Sequence, residues 1–197
     1  MLITTSQWEI HSSILPEETL YVTGTITNRE ENGEKKVVTF ETETRDKNKR
    51  LLLRAKDTLL FLQNITGWKF KDKKIQPTPE GQLCLNLPVK VYFRHEWDPS
   101  VWKNNIHTDK YAQTLGYKRG LPEFTVFFDW IYVALKPLVP DLNKNSLRIT
   151  LQKILPVYED DRINMQIYRN NNEYSIHFLK DRYERILAQA SLILARE

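Results

Sequence analysis

The stretch Asn104-Asn105-Ile106-His107-Thr108-Asp109-Lys110-Tyr111-Ala112-Gln113-Thr114-Leu115-Gly116, with Leu121-Pro122-Glu123-Phe124 and the aromatic run to Trp130-Ile131-Tyr132 behind it, decides the fold. It puts one histidine at the mouth of a short polar segment that turns helical. A longer helix is predicted from about residue 122 to 136. Pro122 suits a first helical turn, where a missing N–H leaves no bond unmade. Pro137 and Pro140 close the helix, because proline cannot continue it. Phe124, Phe127, Phe128 and Ile131 fall on one face, the pattern of a helix packed into a core. A histidine held ahead of a buried helix has the makings of a general acid/base, since its ordinary pKa lies close to working pH.

Around this centre the chain alternates apolar and polar residues with period two. Residues 20–27 and 36–44 read as strands, with Asn32-Gly33 as the hairpin signal between them. The polar turn 46–49 leads into Leu51-Leu52-Leu53 and then Leu59-Leu60-Phe61, and the first sixty residues carry no helical pattern. Residues 64–83 hold Gly67, the lysine cluster 69–74, Pro77, Pro79 and Gly81, which is loop chemistry. Further strands are expected at 85–93, 147–151, 163–168 and 174–178, with turns at 156–161 and 169–173. Residues 185–196 have helical propensity, but their place after a hairpin favours a closing strand. Three units follow: an N-terminal half over 1–63, a connector over 64–83 and a C-terminal half over 84–197.

Composition narrows the function classes. A chain of 197 residues, 41% hydrophobic and 27% charged, can bury a core as one large domain or two fused units. The net charge of +4 is spread among acids rather than gathered in a stripe, so no nucleic acid is expected as a partner. The 69–74 cluster reads as a solvated connector. Residues 1–10 have neither the basic start nor the apolar core of a signal peptide. The longest apolar run, 124–135, contains Asp129 and is too short to span a bilayer, so no membrane association is expected. One cysteine, Cys84, allows no internal disulfide and has no ligand spacing around it. A reduced, cytoplasmic setting is expected, with no cofactor and no metal, since no histidines and acids share ligand spacing.

The order strand, histidine-bearing overhang, central helix and four-stranded meander resembles hot-dog folds, in which a sheet wraps one helix. Residues 102–116 narrow the likeness to the MaoC-like (R)-specific enoyl-thioester hydratases and 3-hydroxyacyl-thioester dehydratases. Their motif runs Asp-x-Asn-Pro-(Ile/Leu)-His, a polar spacer, Tyr-Ala and Gly-(Phe/Tyr). Here Asn104, Ile106, His107, Asp109, Tyr111-Ala112 and Gly116-Tyr117 match. The resemblance covers about 120 C-terminal residues and implies an α+β double hot-dog, with antiparallel sheets around one central helix. Residues 1–63 look like the other half, without its helix. Two positions depart from the motif: Trp102 stands where the catalytic Asp belongs, and Asn105 replaces the proline. The helix-start pair His-Gly or Pro-Gly is Glu123-Phe124 here.

The resemblance implies a lyase of fatty acid metabolism acting on an acyl-CoA or acyl-carrier-protein thioester, with His107 as proton shuttle. Asp98 is the expected stand-in for the lost carboxylate; its plainer reading is a turn residue before Pro99. Substrate contacts are expected from Trp102, Asn104, Glu123, Phe124 and Thr125, with Trp102 narrowing the water site. Plainer readings stand beside each. A lone histidine is more often a hydrogen-bonded structural residue, Asp109 and Glu123 suit first helical turns, and the aromatic face suits core packing. His95 reads as an exposed strand end, His11 and His177 as ordinary strand residues. The rival functions are a non-catalytic thioester-binding or partner subunit and an acyl thioesterase with Glu123 or Asp98 as its carboxylate. Hot-dog sheets join edge to edge, and two fused halves can satisfy that edge within one chain, so a monomer and a homodimer are both compatible with the sequence.

Overall fold

The computed structural model describes residues 2–14, 17–33, 35–62, 79–92, 106–139, 142, 146–159, 161–180 and 185–195. The elements are β1 (Leu2–Ile10), β2 (Tyr21–Asn32), β3 (Lys35–Arg45), β4 (Leu51–Leu62), β5 (Gln82–Lys90), α1 (Asp109–Thr114), α2 (Thr125–Leu135), β6 (Ser146–Lys153), β7 (Arg162–Asn170), β8 (Glu173–Lys180) and β9 (Arg185–Ala195). Among the described residues, period-two alternation yields one antiparallel sheet of nine strands in the order β2-β3-β4-β1-β6-β9-β8-β7-β5. The Asn32-Gly33 signal closes the β2–β3 hairpin, with Gly33 at φ +57°. The ambiguous last segment is a strand, β9, held between β6 and β8. Leu51–Leu62 is one strand rather than two short ones, because β1 and β3 pair along its length.

The two halves of the sheet meet where β1 pairs with β6, in the register Trp8↔Ile149 and Ile10↔Leu147. On the C-terminal half, α2 lies across the inward faces of β6 to β9, against Leu147, Ile149, Leu151, Ile163, Met165, Ile167, Ile176 and Phe178. Ridges of aromatic side chains fill the space: Phe127 meets Phe178 edge-on at 5.1 Å and Trp130 at 5.2 Å. The predicted face Phe124, Phe127, Phe128 and Ile131 is buried throughout. Burying four such side chains stabilises the fold by roughly 1.5–3 kcal/mol each before entropy is counted. From the N-terminal half, Trp8 stacks on Phe128 with centroids 4.1 Å apart. Among the described residues of that half there is no helix.

The helix starts later than proline chemistry predicts. Pro122 and Glu123 precede it, and Phe124 is its N-cap, without a side-chain cap bond. The first turn is tightened instead, by Val126 N–H to the Glu123 carbonyl (3.2 Å) and Phe127 N–H to that of Phe124 (3.3 Å). Local i→i+3 bonding of this kind often replaces a cap at helix ends. His11 lies just past β1, its N–H bonded to the Leu52 carbonyl at 2.9 Å. No helix among the described residues is long and apolar enough to cross a membrane.

Candidate functional site

The segment ahead of α2 folds back on itself. Leu121 N–H donates to the Ile106 carbonyl at 3.1 Å, and Gly120 N–H donates to Asp109 Oδ1 at 2.8 Å. Gly120 is needed there: a Cβ would collide with the carbonyl group of His107, 2.8 Å from its carbon. Arg119 pairs with both Asp109 and Glu159, each at 3.5 Å. Short helix α1 then packs its buried Ala112 with Tyr117 and Leu121 in a small satellite core, joined by Ile106, Leu115 and Tyr158. Burial pushes the Tyr117 phenol up to about 12. Asp109 is thus the first-turn helix residue expected from the sequence, and it ties the loop shut.

His107 is held at the centre of this fold-back. Its Nδ1 lies 2.6 Å from the Leu121 carbonyl oxygen. A carbonyl only accepts, so Nδ1 carries the proton and Nε2 is the basic nitrogen. Leu121 stands just before Pro122-Glu123-Phe124, so the imidazole is tied to the chain that leads into α2. Two backbone N–H groups at that helix start, those of Phe124 and Thr125, have no acceptor among the described residues. They sit at the positive end of the helix dipole.

Of the predicted site residues, His107 is bonded to the Leu121 carbonyl, two residues ahead of Glu123 in the chain. Glu123 is buried, 7% exposed, where α2 begins. Phe124 belongs to the core, its ring 6.3 Å from Phe127 and 5.9 Å from Phe128. This is the packing role that the sequence offered for it beside substrate contact. Thr125, half-buried, is the first residue of α2. Asp98, Trp102 and Asn104 lie outside the described residues, as does His95. Among the described residues no group of three His, Cys, Asp or Glu side chains could hold a metal ion.

Sequence reasoning missed Lys153. Its Nζ lies 5.2 Å from the centroid of Phe124, 5.1 Å from that of Phe127 and 3.5 Å from the Pro122 carbonyl oxygen. The signal was present: Leu147, Ile149, Leu151 and Lys153 share one strand face, and the first three are buried. His177, read from the sequence as an ordinary strand residue, lies on β8. It lines a shallow cavity of about 430 Å³ with Thr5, Thr150, Gln152, Ser175 and Gln189. Thr150 and Gln152 alternate with Ile149 and Leu151, so this cavity opens on the sheet face turned away from α2. Burial pulls the His177 imidazole below its ordinary value.

No family profile matches the sequence, and no curated protein matches it. Solved structures do resemble it. Full-length peroxisomal multifunctional enzyme type 2 from Drosophila melanogaster superposes with a TM-score of 0.75 at 17% identity, over 99% of this chain and 37% of the enzyme. A MaoC-like dehydratase from Phytophthora capsici gives 0.73 at 15% identity, over 100% of this chain and 72% of that one. A conserved hypothetical protein from Mycobacterium tuberculosis, described as a double hotdog, gives 0.64 at 13% identity, over 98% and 75%. Acyl-ACP thioesterases are similar too, with TM-scores of 0.62 and 0.61. The chain spans little more than a third of the Drosophila enzyme. The shared architecture is the double hot-dog expected from the sequence.

Proposed function

We propose that the protein acts on acyl thioesters, as a hydratase or dehydratase of enoyl- or 3-hydroxyacyl groups carried by CoA or an acyl-carrier protein. The observation that carries this reading is the His107 Nδ1 bond to the Leu121 carbonyl at the approach to α2. It orients Nε2 as the proton acceptor and ties it to a helix start bearing two N–H groups. In the hydration direction, Nε2 takes a proton from water as the water oxygen bonds to C3 of the enoyl thioester. The C2–C3 π electrons move towards the carbonyl, and its growing negative charge is met by the helix-start N–H groups. The imidazolium then returns that proton from Nε2 to C2 as the carbonyl re-forms, so that water ends as the C3 hydroxyl and the C2 hydrogen, and dehydration retraces the same steps. Glu123, buried just ahead of α2, serves as the companion carboxylate; Asp98, upstream, is the alternative the sequence offers.

Full-length protein assayed with crotonyl-CoA and a longer enoyl-CoA, for hydration and thiol release together, tests the reading. Hydration is expected, reduced by about 10²–10⁴-fold in His107→Ala. Hydration unaffected by His107→Ala would remove the mechanism. Comparing Glu123→Gln with Asp98→Asn identifies the companion acid. The second reading is an acyl thioesterase, favoured by a buried carboxylate beside a helix start; thiol release that depends on Glu123 would establish it. Binding without turnover would instead mark a thioester-binding subunit, as the Trp102 and Asn105 departures allow. A cytoplasmic setting and a homodimer belong to the same reading. The dimer is supported by β2, exposed along its whole length at the sheet edge, and a monomeric mass by light scattering would remove it.

A further inference from the structure

The two halves of the sheet carry different outer faces. On the N-terminal side the face is a lattice of ion pairs: Glu41 with Lys56, Glu43 with Arg54, and Glu9 with Arg54 and Arg148. Over the C-terminal half two adjoining rows are uncharged. One row crosses six strands through Thr5, Gln152, Gln189, His177, Gln166 and Asn86. The next runs through Gln7, Thr150, Ser191, Ser175 and Tyr168. Directly opposed residues of antiparallel strands share a face, and this one is turned away from α2. None of these side chains is a lysine, arginine, aspartate or glutamate. A strand face that meets only water ordinarily carries charges of both signs, as the N-terminal half does.

The middle of the two rows is hollow. Thr150, Ser175 and Ser191 are short, Gln152, Gln189 and His177 form the taller row beside them, and together they line the cavity of about 430 Å³. Gln189 Nε2 donates to Gln152 Oε1 at 3.0 Å. That bond leaves the Gln152 amide N–H groups and the Gln189 carbonyl oxygen without a partner among the described residues. The hydroxyls of Thr150, Ser175 and Ser191 and both ring nitrogens of His177 also lack one there. Tyr168 backs the imidazole from β7, with ring centroids 6.2 Å apart. Burial holds His177 below its ordinary value, so the ring enters the hollow neutral, with one donor and one acceptor.

Size and chemistry together select the occupant. The hollow crosses four strands and two rows, about 14 Å by 7 Å at the usual spacings. That is on the order of 100 Å², far below the ~800 Å² a side of a stable protein interface. Its volume of about 430 Å³ falls instead within the range of small-ligand sites. An ionic ligand would meet no counter-charge, and an apolar one would strip water from hydroxyls and amides without replacing it. A ligand hydroxyl both donates and accepts, so it matches every group present. We propose that the outer face of β1, β6, β9 and β8 binds a small uncharged polyhydroxylated molecule, a free mono- or disaccharide, through Gln152, Gln189, Ser175, Ser191 and His177. The site lies across the sheet from α2 and does not depend on the thioester reading.

The test titrates the full-length protein with glucose, galactose, sucrose and trehalose, followed by saturation-transfer NMR and calorimetry. Glucose 6-phosphate is the charged comparator and cyclohexanol the apolar one. Saturable millimolar binding of at least one neutral sugar is expected, with glucose 6-phosphate weaker than glucose and no saturable binding of cyclohexanol. Ser175→Tyr fills the hollow and abolishes binding. Gln152→Ala and His177→Ala each weaken it by about three- to ten-fold, the share of one or two hydrogen bonds. These two truncations sit at solvent-facing positions and carry the test should Ser175→Tyr fail to fold. The inference is overturned if no neutral sugar saturates, if binding survives Ser175→Tyr in a folded protein, or if either comparator binds as tightly as the sugars. A dimer that Ser175→Tyr converts to a monomer in light scattering also overturns it, and assigns the face to a second copy of the chain.

Discussion

At the scale of single residues, two side chains and one missing one shape the site. His107 is oriented by a backbone carbonyl, which holds a tautomer without the charge a carboxylate partner would add. Gly120 lets that arrangement exist. Gly120→Ala is expected to lower stability by about 1–3 kcal/mol through overpacking against His107 and to displace the imidazole. Denaturant unfolding and the hydration assay should therefore fall together, and a variant that unfolds normally with full activity would refute the close contact. Lys153 carries a signed pH dependence. Its folded pKa of about 8 lies below the ordinary 10.5, so the unfolded chain binds more protons between those values. Stability from this group should rise as pH climbs from 8 towards 10.5 and be flat below 8. The difference between wild-type and Lys153→Met melting curves across that range isolates it; no difference in slope would count against a depressed pKa.

At the scale of elements, α2 is made by composition rather than by capping. Phe124 offers no side-chain cap, and the first turn is closed by tight backbone bonds, so the helix depends on its buried face. That face was legible as Phe124, Phe127, Phe128 and Ile131 at helical spacing. Its partners were not, because Trp8 is more than a hundred residues away in the chain and stacks on Phe128 only once β1 pairs with β6. Trp8→Ala is expected to cost about 2–4 kcal/mol, towards the lower part of the range for buried aromatic truncation because Trp8 is half-exposed. Chemical denaturation should show it, and a loss under 1 kcal/mol would mean the stack contributes little. The start of α2 was misjudged by three residues: Pro122 suits a first turn by local preference, whereas tertiary bonding of Leu121 to Ile106 holds this segment in the fold-back instead.

At the scale of the whole molecule, one sheet binds both halves. Across its outer face, Glu9 reaches Arg148 at 2.8 Å and Arg54 at 3.5 Å, and Arg54 reaches Glu43 at 2.8 Å, linking four strands. These side chains are well exposed, so the chain of ion pairs contributes little. Glu9→Gln is expected to change stability by less than about 1 kcal/mol and to leave a single unfolding transition in calorimetry; separate transitions would show that the apolar seam of Trp8, Ile10, Leu147 and Ile149 does not couple the halves. The sequence by itself determined the strands, the Asn32-Gly33 hairpin, the buried face of α2 and the resemblance around His107, because each is set by spacing over a few neighbouring residues. Only the tertiary structure decided which distant groups meet: the carbonyl that turns His107, the β1–β6 join, and Lys153 against Phe124. Those contacts depend on sheet register and chain return, and no local periodicity encodes them.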